Sequence, residues 1–308
     1  MSYDISSKLK IAVTTRALFN LENEHALYEE KGRDEYEAYQ IQNENNILEH
    51  GTAFSVVKAL LSINKIEKTK NQVEVIVVTR NNANTGIRVF NSIDHYNLPI
   101  TRGCFTGGSG LTPYLKALDI DLFLTANEQD AQEAIDAGIP AAVLLTQNNS
   151  LYKDSEENKI RIAFDGDAVI FFEESELIYK KQGMDSFKKN EIEHANEPMK
   201  EGPFVKFLKM ISNLQKALGE DQTILRTALI TARNAPSHTR VINTLRKWNI
   251  RIDEIFFLGG LSKTPILEAF GAQIFFDDQK VYTDSASKKV PSGTVPYNSQ
   301  SELNKYKN

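Results

Sequence analysis

Short apolar runs alternate along this chain with longer stretches in which apolar positions recur at helical spacing. Each short run is mostly apolar, as expected of strands buried on both faces of a sheet. Strands are predicted at 9–13, 73–78, 103–106, 121–124 and 141–145, and again at 160–164, 227–230, 254–258 and 273–276. Alternating strands and helices are typical of βα units around a mostly parallel sheet, so the predicted class is α/β.

The second series of elements repeats the first. Residues 10–17 align with 161–168, and the register continues without a gap through Gly51 over Gly202. After a one-residue insertion, Gly107 aligns with Gly259. A chain of 308 residues is long enough for two domains. We predict a first unit at 1–152, a second at 153–298, and a flexible tail at 299–308.

A long polar insertion follows the first predicted strand of each unit, at about 21–52 and about 172–203. Both insertions are rich in Glu, Lys, Asn and aromatic residues. Their pattern predicts one or two amphipathic helices outside the sheet. An insertion beside the carboxyl end of a strand is well placed to act as a lid.

Composition and charge exclude several classes of protein. The net charge of -5 gives no general attraction for a polymeric nucleic acid. The sequence has no apolar stretch of the roughly 20 residues that a membrane helix needs, and its first residues do not resemble a secretory signal, so we expect a cytoplasmic protein. The single cysteine, Cys104, excludes an intrachain disulfide and a cysteine-based metal cluster. The oligomeric state stays open, a homo-oligomer included.

Two aspartates follow the first predicted strand of the second unit, Asp165 and Asp167 with Gly166 between them. Ligands meet α/β sheets where such strands give way to loops. One carboxylate could act as nucleophile and Mg²⁺ ligand, and the other as general acid and then base. On its own, however, this tripeptide is more often a simple turn.

Three further segments at predicted strand ends strengthen the catalytic interpretation. Asp277 and Asp278 are adjacent acids directly after an apolar strand, which is costly unless a cation or hydrogen-bond donors offset their repulsion. With Asp165 they would form the all-oxygen environment that Mg²⁺ prefers. Thr231 and Lys263 follow two other strands and could hold phosphate oxygens. Taken singly, a threonine or a lysine at such a place is more often structural.

The first unit lacks this chemistry at the aligned positions. Thr14 aligns with Asp165, Arg16 with Asp167, Leu111 with Lys263, and the pair Thr125 and Ala126 with the pair Asp277 and Asp278. The sequence therefore predicts one reactive unit and one that cannot bind a metal.

The order of these residues resembles that of haloacid-dehalogenase-like phosphohydrolases. More specifically, the segments 12–19, 91–96, 163–169 and 274–279 resemble the cytosolic type I 5′-nucleotidase family over nearly the whole chain. The resemblance implies two tandem haloacid-dehalogenase-like (Rossmannoid) units, each with its own mostly parallel sheet and a small helical lid insertion, the first without catalytic function. It implies Mg²⁺-dependent removal of the 5′-phosphate from a nucleoside monophosphate such as AMP.

The resemblance also assigns roles to individual residues. Asp165 would form an aspartyl-phosphate, and Asp167 would protonate the leaving 5′-oxygen and later activate water. Thr231 and Lys263 would bind the transferring phosphoryl group. Mg²⁺ would be held by Asp165, the backbone carbonyl of Asp167, and one or both of Asp277 and Asp278. For the nucleoside, the sequence offers only candidate contacts, namely Phe172, His194, Asn196 and Arg16.

Two alternative functions stay open. The same catalytic residues would serve a phosphatase of another small phosphomonoester, such as a sugar phosphate, because they contact only the phosphate. A nucleotide-sensing module with vestigial hydrolysis is the other alternative, since the first unit could hold a ligand without cleaving it.

Overall fold

The computed structural model describes residues 4–145, 159–219 and 224–306. In the first half of the chain the strands are β1 (Leu9–Val13), β2 (Phe19–Asn20), β3 (Glu49–His50), β4 (Val73–Thr79), β5 (Arg102–Phe105), β6 (Leu122–Thr125) and β7 (Ala141–Leu144). In the second half they are β8 (Ile160–Phe164), β9 (Leu225–Thr231), β10 (Glu254–Phe257), β11 (Ile274–Asp277) and β12 (Ser292–Thr294).

Helices lie between most of these strands along the described part of the chain. The first half contains α1 (Thr15–Leu18), α2 (Glu22–Lys31), α3 (Arg33–Gln42), α4 (Phe54–Ser62), α5 (Gly86–His95), α6 (Thr112–Ala117) and α7 (Glu128–Asp136). The second contains α8 (Glu174–Glu193), α9 (Val205–Leu218), α10 (His238–Trp248), α11 (Thr264–Phe270) and α12 (Lys280–Ala286). No helix in the three described ranges is both long and apolar enough to cross a bilayer.

Ten strands form one sheet in the order β10-β9-β8-β11-β12-β7-β6-β1-β4-β5. Neighbouring strands are parallel except at the centre, where β12 runs antiparallel to β7 and Gly293 faces Leu144. The fold is therefore a mostly parallel α/β sheet, as the sequence predicts. Counted outward from the centre, the strand order in the two halves is the same.

The two halves share this sheet, whereas the sequence analysis expected a separate sheet in each unit. The reason lies in the backbone at the centre. An unpaired edge strand exposes N–H and C=O groups. Pairing β12 with β7 satisfies these groups in both halves at once.

Aromatic packing fixes the two strands that carry the acidic residues. Phe164 at the end of β8 stacks on Phe276 in β11, with ring centroids 5.8 Å apart. Phe204, directly before α9, packs on Phe276 at 4.9 Å. All three side chains are fully buried. Close-packed interiors leave little room for movement, so the carboxyl ends of β8 and β11 are held together.

The long insertions are helical in both halves. In the second half, α8 is kinked at Gly183, whose φ is 82°. In the first half, α2 and α3 meet at the aligned Gly32, whose φ is 81°. Non-glycine residues rarely adopt this left-handed region, so glycine allows the same break in both insertions.

The end of the chain differs from the sequence prediction. Residues 299–308 were expected to be a flexible tail, but Glu302–Tyr306 form a 3-10 helix and Leu303 is buried. Ser299 donates its backbone N–H to Asp136, and the Ser301 hydroxyl donates to Glu173. From its polar composition, the segment is not expected to be ordered. It is held in place by the buried Leu303 and by the hydrogen bonds of Ser299 and Ser301 to the two halves.

Candidate active site

The predicted catalytic residues lie where the connections of the second half diverge. From β8 the chain passes to β9 and β10 on one side, and then to β11 on the other side. Ligands bind to open α/β sheets outside the carboxyl ends of the strands at such a point. Asp165 directly follows β8, while Thr231 ends β9 and Asp277 ends β11. All three are buried.

Lys263 lies between two of the carboxylates. It precedes α11, in the loop after β10, and its Nζ is 2.6 Å from Asp165 Oδ1 and 2.6 Å from Asp277 Oδ2. Burial by itself would lower the pKa of Lys263, but the two carboxylates raise it above its ordinary value. The ammonium therefore stays charged in a site from which water is largely excluded.

Asp165, Asp277 and Asp278 form a buried acidic cluster. Their ligand oxygens lie within 4.8 Å of one another. Burial raises the pKa of Asp165 to about 7, although Lys263 opposes the shift. Burial and the neighbouring Asp277 raise the pKa of Asp278 well above its ordinary range. Lys263 thus pairs with two of the three carboxylates, Asp165 and Asp277.

One oxygen of this cluster lacks a partner. Asp278 Oδ2 accepts a hydrogen bond from the Tyr297 hydroxyl at 2.5 Å. Asp278 Oδ1 is buried and has no hydrogen-bond partner within the described part of the chain. A buried polar atom without a partner is costly unless a ligand satisfies it. Since all the donors are oxygens, the cluster fits a hard divalent cation such as Mg²⁺.

Thr231 borders the turn that carries Asp165. A Cβ added at Gly166 would lie 3.4 Å from Thr231 Oγ1, so this hydroxyl lies beside the turn. Thr231 Oγ1 accepts the backbone N–H of Arg233 at 3.2 Å and can still donate its own proton. The structure thus brings together Asp165, Thr231, Lys263, Asp277 and Asp278, the set that the sequence singled out.

Asp167 has a partner that the sequence analysis missed. Arg233 binds both of its carboxylate oxygens, with Nη2 2.6 Å from Oδ1 and Nε 2.8 Å from Oδ2. The Arg233 side chain also donates from Nη1 to Glu191 at 2.5 Å. The sequence does show an arginine two residues after Thr231. Because arginine is usually exposed, its position alone does not predict a buried contact with Asp167.

Arg233 joins the turn after β8 to the insertion helix. Glu191, in the last turn of α8, is fully buried and also binds Arg240 at 3.0 Å and the Ser175 hydroxyl at 2.8 Å. Phe187 of the same helix lies under the guanidinium, whose carbon is 5.2 Å from the ring centroid. The side chain of Asp167 is thereby tied to α8.

Replacing Arg233 with methionine is expected to lower the free energy of unfolding by about 3 to 5 kcal/mol. The change leaves the fully buried Glu191 and the partly buried Asp167 without their shared cation. Urea unfolding of the full chain would measure the loss.

Lys280→Met provides a matched control, because Lys280 forms an exposed pair with Asp284 on α12. It should change the stability by less than about 0.5 kcal/mol. Equal effects of the two substitutions would show that the Arg233 network does not stabilise the fold.

The predicted nucleoside contacts are more dispersed. Phe172 is half exposed, and His194 Nδ1 lies 2.9 Å from the Asn190 carbonyl oxygen at the end of α8. Asn196 accepts a hydrogen bond from Asn243 of α10. Arg16 lies in the first half, paired with Glu22. The hydrogen bonds described for His194, Asn196 and Arg16 are made to residues outside the acidic cluster, and the roles of all four residues toward substrate stay predictions. Phe187 contacts Arg233, which binds Asp167.

The loops of the first half keep the same backbone pattern without the carboxylates. Thr125 Oγ1 accepts the N–H of Asn127, as Asp277 Oδ1 accepts that of Gln279. Thr79 Oγ1 accepts the N–H of Asn81 at 3.3 Å, matching Thr231 and Arg233. The aligned loops thus share the hydrogen bonds that shape their turns, but the first half lacks the carboxylates of the second.

Both halves contain a buried arginine bound to a carboxylate of the insertion helices, but the carboxylate stands at a different aligned position in each half. In the second half, Arg240 binds Glu191. In the first, the aligned Arg88 binds Glu24 at 2.8 Å and Gln40 at 3.1 Å. The register places Gln40 over Glu191 and Glu24 over Ser175. At the aligned positions, each half therefore pairs a buried arginine, Arg88 or Arg240, with one carboxylate on the insertion helices.

Comparison with known proteins identifies the family of the chain. A family model for 5′-nucleotidases matches residues 1–302. The chain belongs to the 5′-nucleotidase family. The resemblance seen in the sequence is thereby confirmed at the level of the family.

A curated relative in the 5′-nucleotidase family is cytosolic 5′-nucleotidase 1B of Homo sapiens, which is 38% identical over 291 residues. The match covers 91% of this chain and 47% of the relative, so the chain spans about half the length of the relative that it matches. No solved structure matches the chain.

Proposed function

We propose that this protein is a Mg²⁺-dependent 5′-nucleotidase of nucleoside monophosphates such as AMP, acting in the cytoplasm. The observation that carries the proposal is the buried cluster of Asp165, Asp277 and Asp278 with Lys263 between two of its members. Family membership and the name of the human relative support the nucleotide as substrate. The buried cluster itself selects only for a phosphate group.

In the proposed reaction, a carboxylate oxygen of Asp165 attacks phosphorus. The bond from phosphorus to the 5′-oxygen breaks, and its electron pair stays on that oxygen, which receives a proton from Asp167. Thr231 and Lys263 hold the oxygens of the transferring group and oppose its charge. In the second step, Asp167 takes a proton from water, and the water oxygen attacks the aspartyl-phosphate to release phosphate and restore Asp165.

The ion pair with Arg233 bears on both proposed roles of Asp167, as an acid and as a base. The bidentate pair is the geometry that arginine makes with an ionised carboxylate. That state suits the second step, in which Asp167 acts as a base. In the first step it acts as an acid, so we propose that the pair loosens when substrate enters and that Asp167 then carries a proton.

The cation would be held by Asp165, Asp278 and Asp277, together with the backbone carbonyl of Asp167. Bound Mg²⁺ would neutralise charge on the phosphoryl oxygens. The unpartnered Asp278 Oδ1 supports this assignment, because coordination would satisfy it.

We further propose that the first half, residues 1–152, is a non-catalytic copy of the second, residues 153–298. The equal strand order and the aligned glycine breaks support a duplication. In the first copy, Thr14 and Leu111 stand where the catalytic copy has Asp165 and Lys263. We also propose that the insertion at about 172–203 acts as a lid, since α8 is tied to Asp167 through Arg233.

Phosphate release across nucleoside monophosphates and sugar phosphates would test the substrate class. The proposal expects kcat/KM to be highest for a nucleoside monophosphate. A higher value for a sugar phosphate would identify a phosphatase of another class. Absence of turnover despite bound nucleotide would favour a sensing module.

Chelation is expected to abolish activity, and added Mg²⁺ to restore it, because the buried carboxylates otherwise repel the phosphate. Asp278→Asn should raise the Mg²⁺ concentration that gives half-maximal activity by about 10- to 100-fold. Steady-state assays at graded Mg²⁺ would measure both effects. Full activity after exhaustive chelation would contradict the metal assignment.

A further inference from the structure

The first half contains a cavity of about 470 Å³ at the position aligned with the active site. All the residues that line it belong to the first half, and they include Thr14, Arg16, His25, Tyr36, Thr79 and Arg80. It opens at the carboxyl end of β1, where the connections to β4 and β6 diverge. Pockets of this size accommodate small organic ligands.

The charge of this cavity differs from that of the catalytic site. The catalytic site has four aspartates, at 165, 167, 277 and 278, and one lysine, at 263. The aligned residues of the first half are Thr14, Arg16, Thr125, Ala126 and Leu111. Four negative charges and one positive charge are thus replaced by one positive charge. The carboxylates that require a metal before phosphate can enter are absent from these positions.

A buried hydroxyl in this cavity has no partner. Thr14 is 7% exposed and follows β1 as Asp165 follows β8. Its Oγ1 has no hydrogen-bond partner in the ranges that the structure describes. Buried hydroxyls are normally satisfied, so this one points to a ligand that supplies an acceptor or a donor.

Arg16 is the cation that can exchange partners. It binds Glu22 through Nε at 2.6 Å and Nη2 at 2.7 Å. Both side chains are partly exposed, at 28% and 37%, and such pairs contribute little to stability. A phosphate offers arginine the same bidentate geometry as a carboxylate with more charge.

Two other charged side chains of the cavity, Arg80 and Glu37, already have partners. Arg80 binds Asp130 at 2.5 Å and also pairs with Glu133. Glu37 accepts hydrogen bonds from Asn82 and Asn84. Glu29 and Arg33, also in the lining, have opposite charges. Of the arginines in the lining, Arg16 is the one that lies just after β1, two residues from Thr14, so it is the cation placed to hold an anion beside the Thr14 hydroxyl.

We propose that this cavity binds a nucleoside monophosphate without a metal and without cleaving it, its phosphate held by Arg16 and the Thr14 hydroxyl. The choice of a nucleotide rests on the proposed function, and on Tyr28 and Tyr36, which offer aromatic surface for a base. No carboxylate stands at the nucleophile position, so no aspartyl-phosphate can form there.

Calorimetric titration of AMP into the full chain in excess chelator tests the proposal. Chelation prevents turnover and disfavours phosphate at the catalytic carboxylates. We expect saturable binding of one AMP. Arg16→Met should weaken it tenfold or more, since hydrogen bonds to charged groups contribute that much. Glu22→Gln should tighten it, because Arg16 loses its competing carboxylate.

Thr14→Val provides a check on folding. Valine removes a hydroxyl that has no partner, so the thermal midpoint should not fall while AMP binding weakens. Thr125→Val is the matched contrast, because it strands the Asn127 N–H and should lower the midpoint. Thermal unfolding of each variant would precede the titrations.

Absence of AMP binding in chelator would overturn the proposal, as would binding that neither Arg16→Met nor Glu22→Gln changes. Adenosine binding as tightly as AMP would overturn the assignment of the phosphate to Arg16. The proposed function is measured separately, by phosphate release from the unmodified chain with Mg²⁺. A failure to bind AMP in chelator therefore does not imply a failure to release phosphate with Mg²⁺, and the reverse also holds.

Discussion

Asp165→Asn is expected to reduce phosphate release from AMP by on the order of 10⁴-fold or more while the fold stays intact. Asparagine has nearly the volume of aspartate, but its amide is neither a nucleophile nor a good ligand for Mg²⁺. Lys263 would still have Asp277 at 2.6 Å. The buried ammonium would therefore keep a carboxylate partner, and the packing of β8 against β11 would be unchanged.

Single-turnover and steady-state assays with AMP would measure the loss, with unfolding curves to confirm the fold. Asp284→Asn is a matched control on the exposed face of α12, where its partner is Lys280. It should keep full activity. Phosphate release by Asp165→Asn within tenfold of the unmodified chain would exclude Asp165 as the nucleophile.

Asp167→Asn should be nearly as damaging for AMP, because the 5′-oxygen then leaves without a proton. General acid catalysis contributes about 10²- to 10⁴-fold, so a loss of that order is expected in the first step. The loss should be much smaller for p-nitrophenyl phosphate, whose leaving group needs no proton. Arg233 loses an ionised partner but keeps Glu191.

The second role of Asp167 gives a separate signature. Without a base to activate water, the aspartyl-phosphate should accumulate when p-nitrophenyl phosphate is the substrate. A burst of p-nitrophenol followed by slow turnover, with phosphate bound covalently to the protein, would report it. Equal losses for AMP and p-nitrophenyl phosphate, with no burst, would rule out the acid and base roles.

The strands could be predicted well because their side chains are apolar on both faces. The run 9–13 matches β1, and the run 160–164 matches β8. The grouping of the candidate catalytic residues could be predicted for a related reason. Polar residues at the ends of buried parallel strands must meet at one edge of the sheet, so the sequence alone places Asp165, Thr231 and Asp277 together.

The central pairing and the arginine network could not be predicted in the same way. β12 has three residues, and its pairing with β7 depends on chain segments more than a hundred residues apart. Arg233 and Glu191 look like surface residues in sequence, because burial of a charged pair depends on a partner that local patterns do not show. Tyr297 lies just before the polar end segment, and nothing in the local sequence shows that its hydroxyl reaches Asp278.

The position of Tyr297 connects the two halves at the acidic cluster. Its hydroxyl donates to Asp278, and its backbone carbonyl accepts a hydrogen bond at 2.9 Å from Gln132 of α7, in the first half. Together with the β7 and β12 pair, this contact anchors the acidic end of β11 on the first half. The second half expressed alone would lose this anchor and expose the edge of β12. We therefore expect neither half to fold and act on its own, although the sequence repeat suggests two separable units.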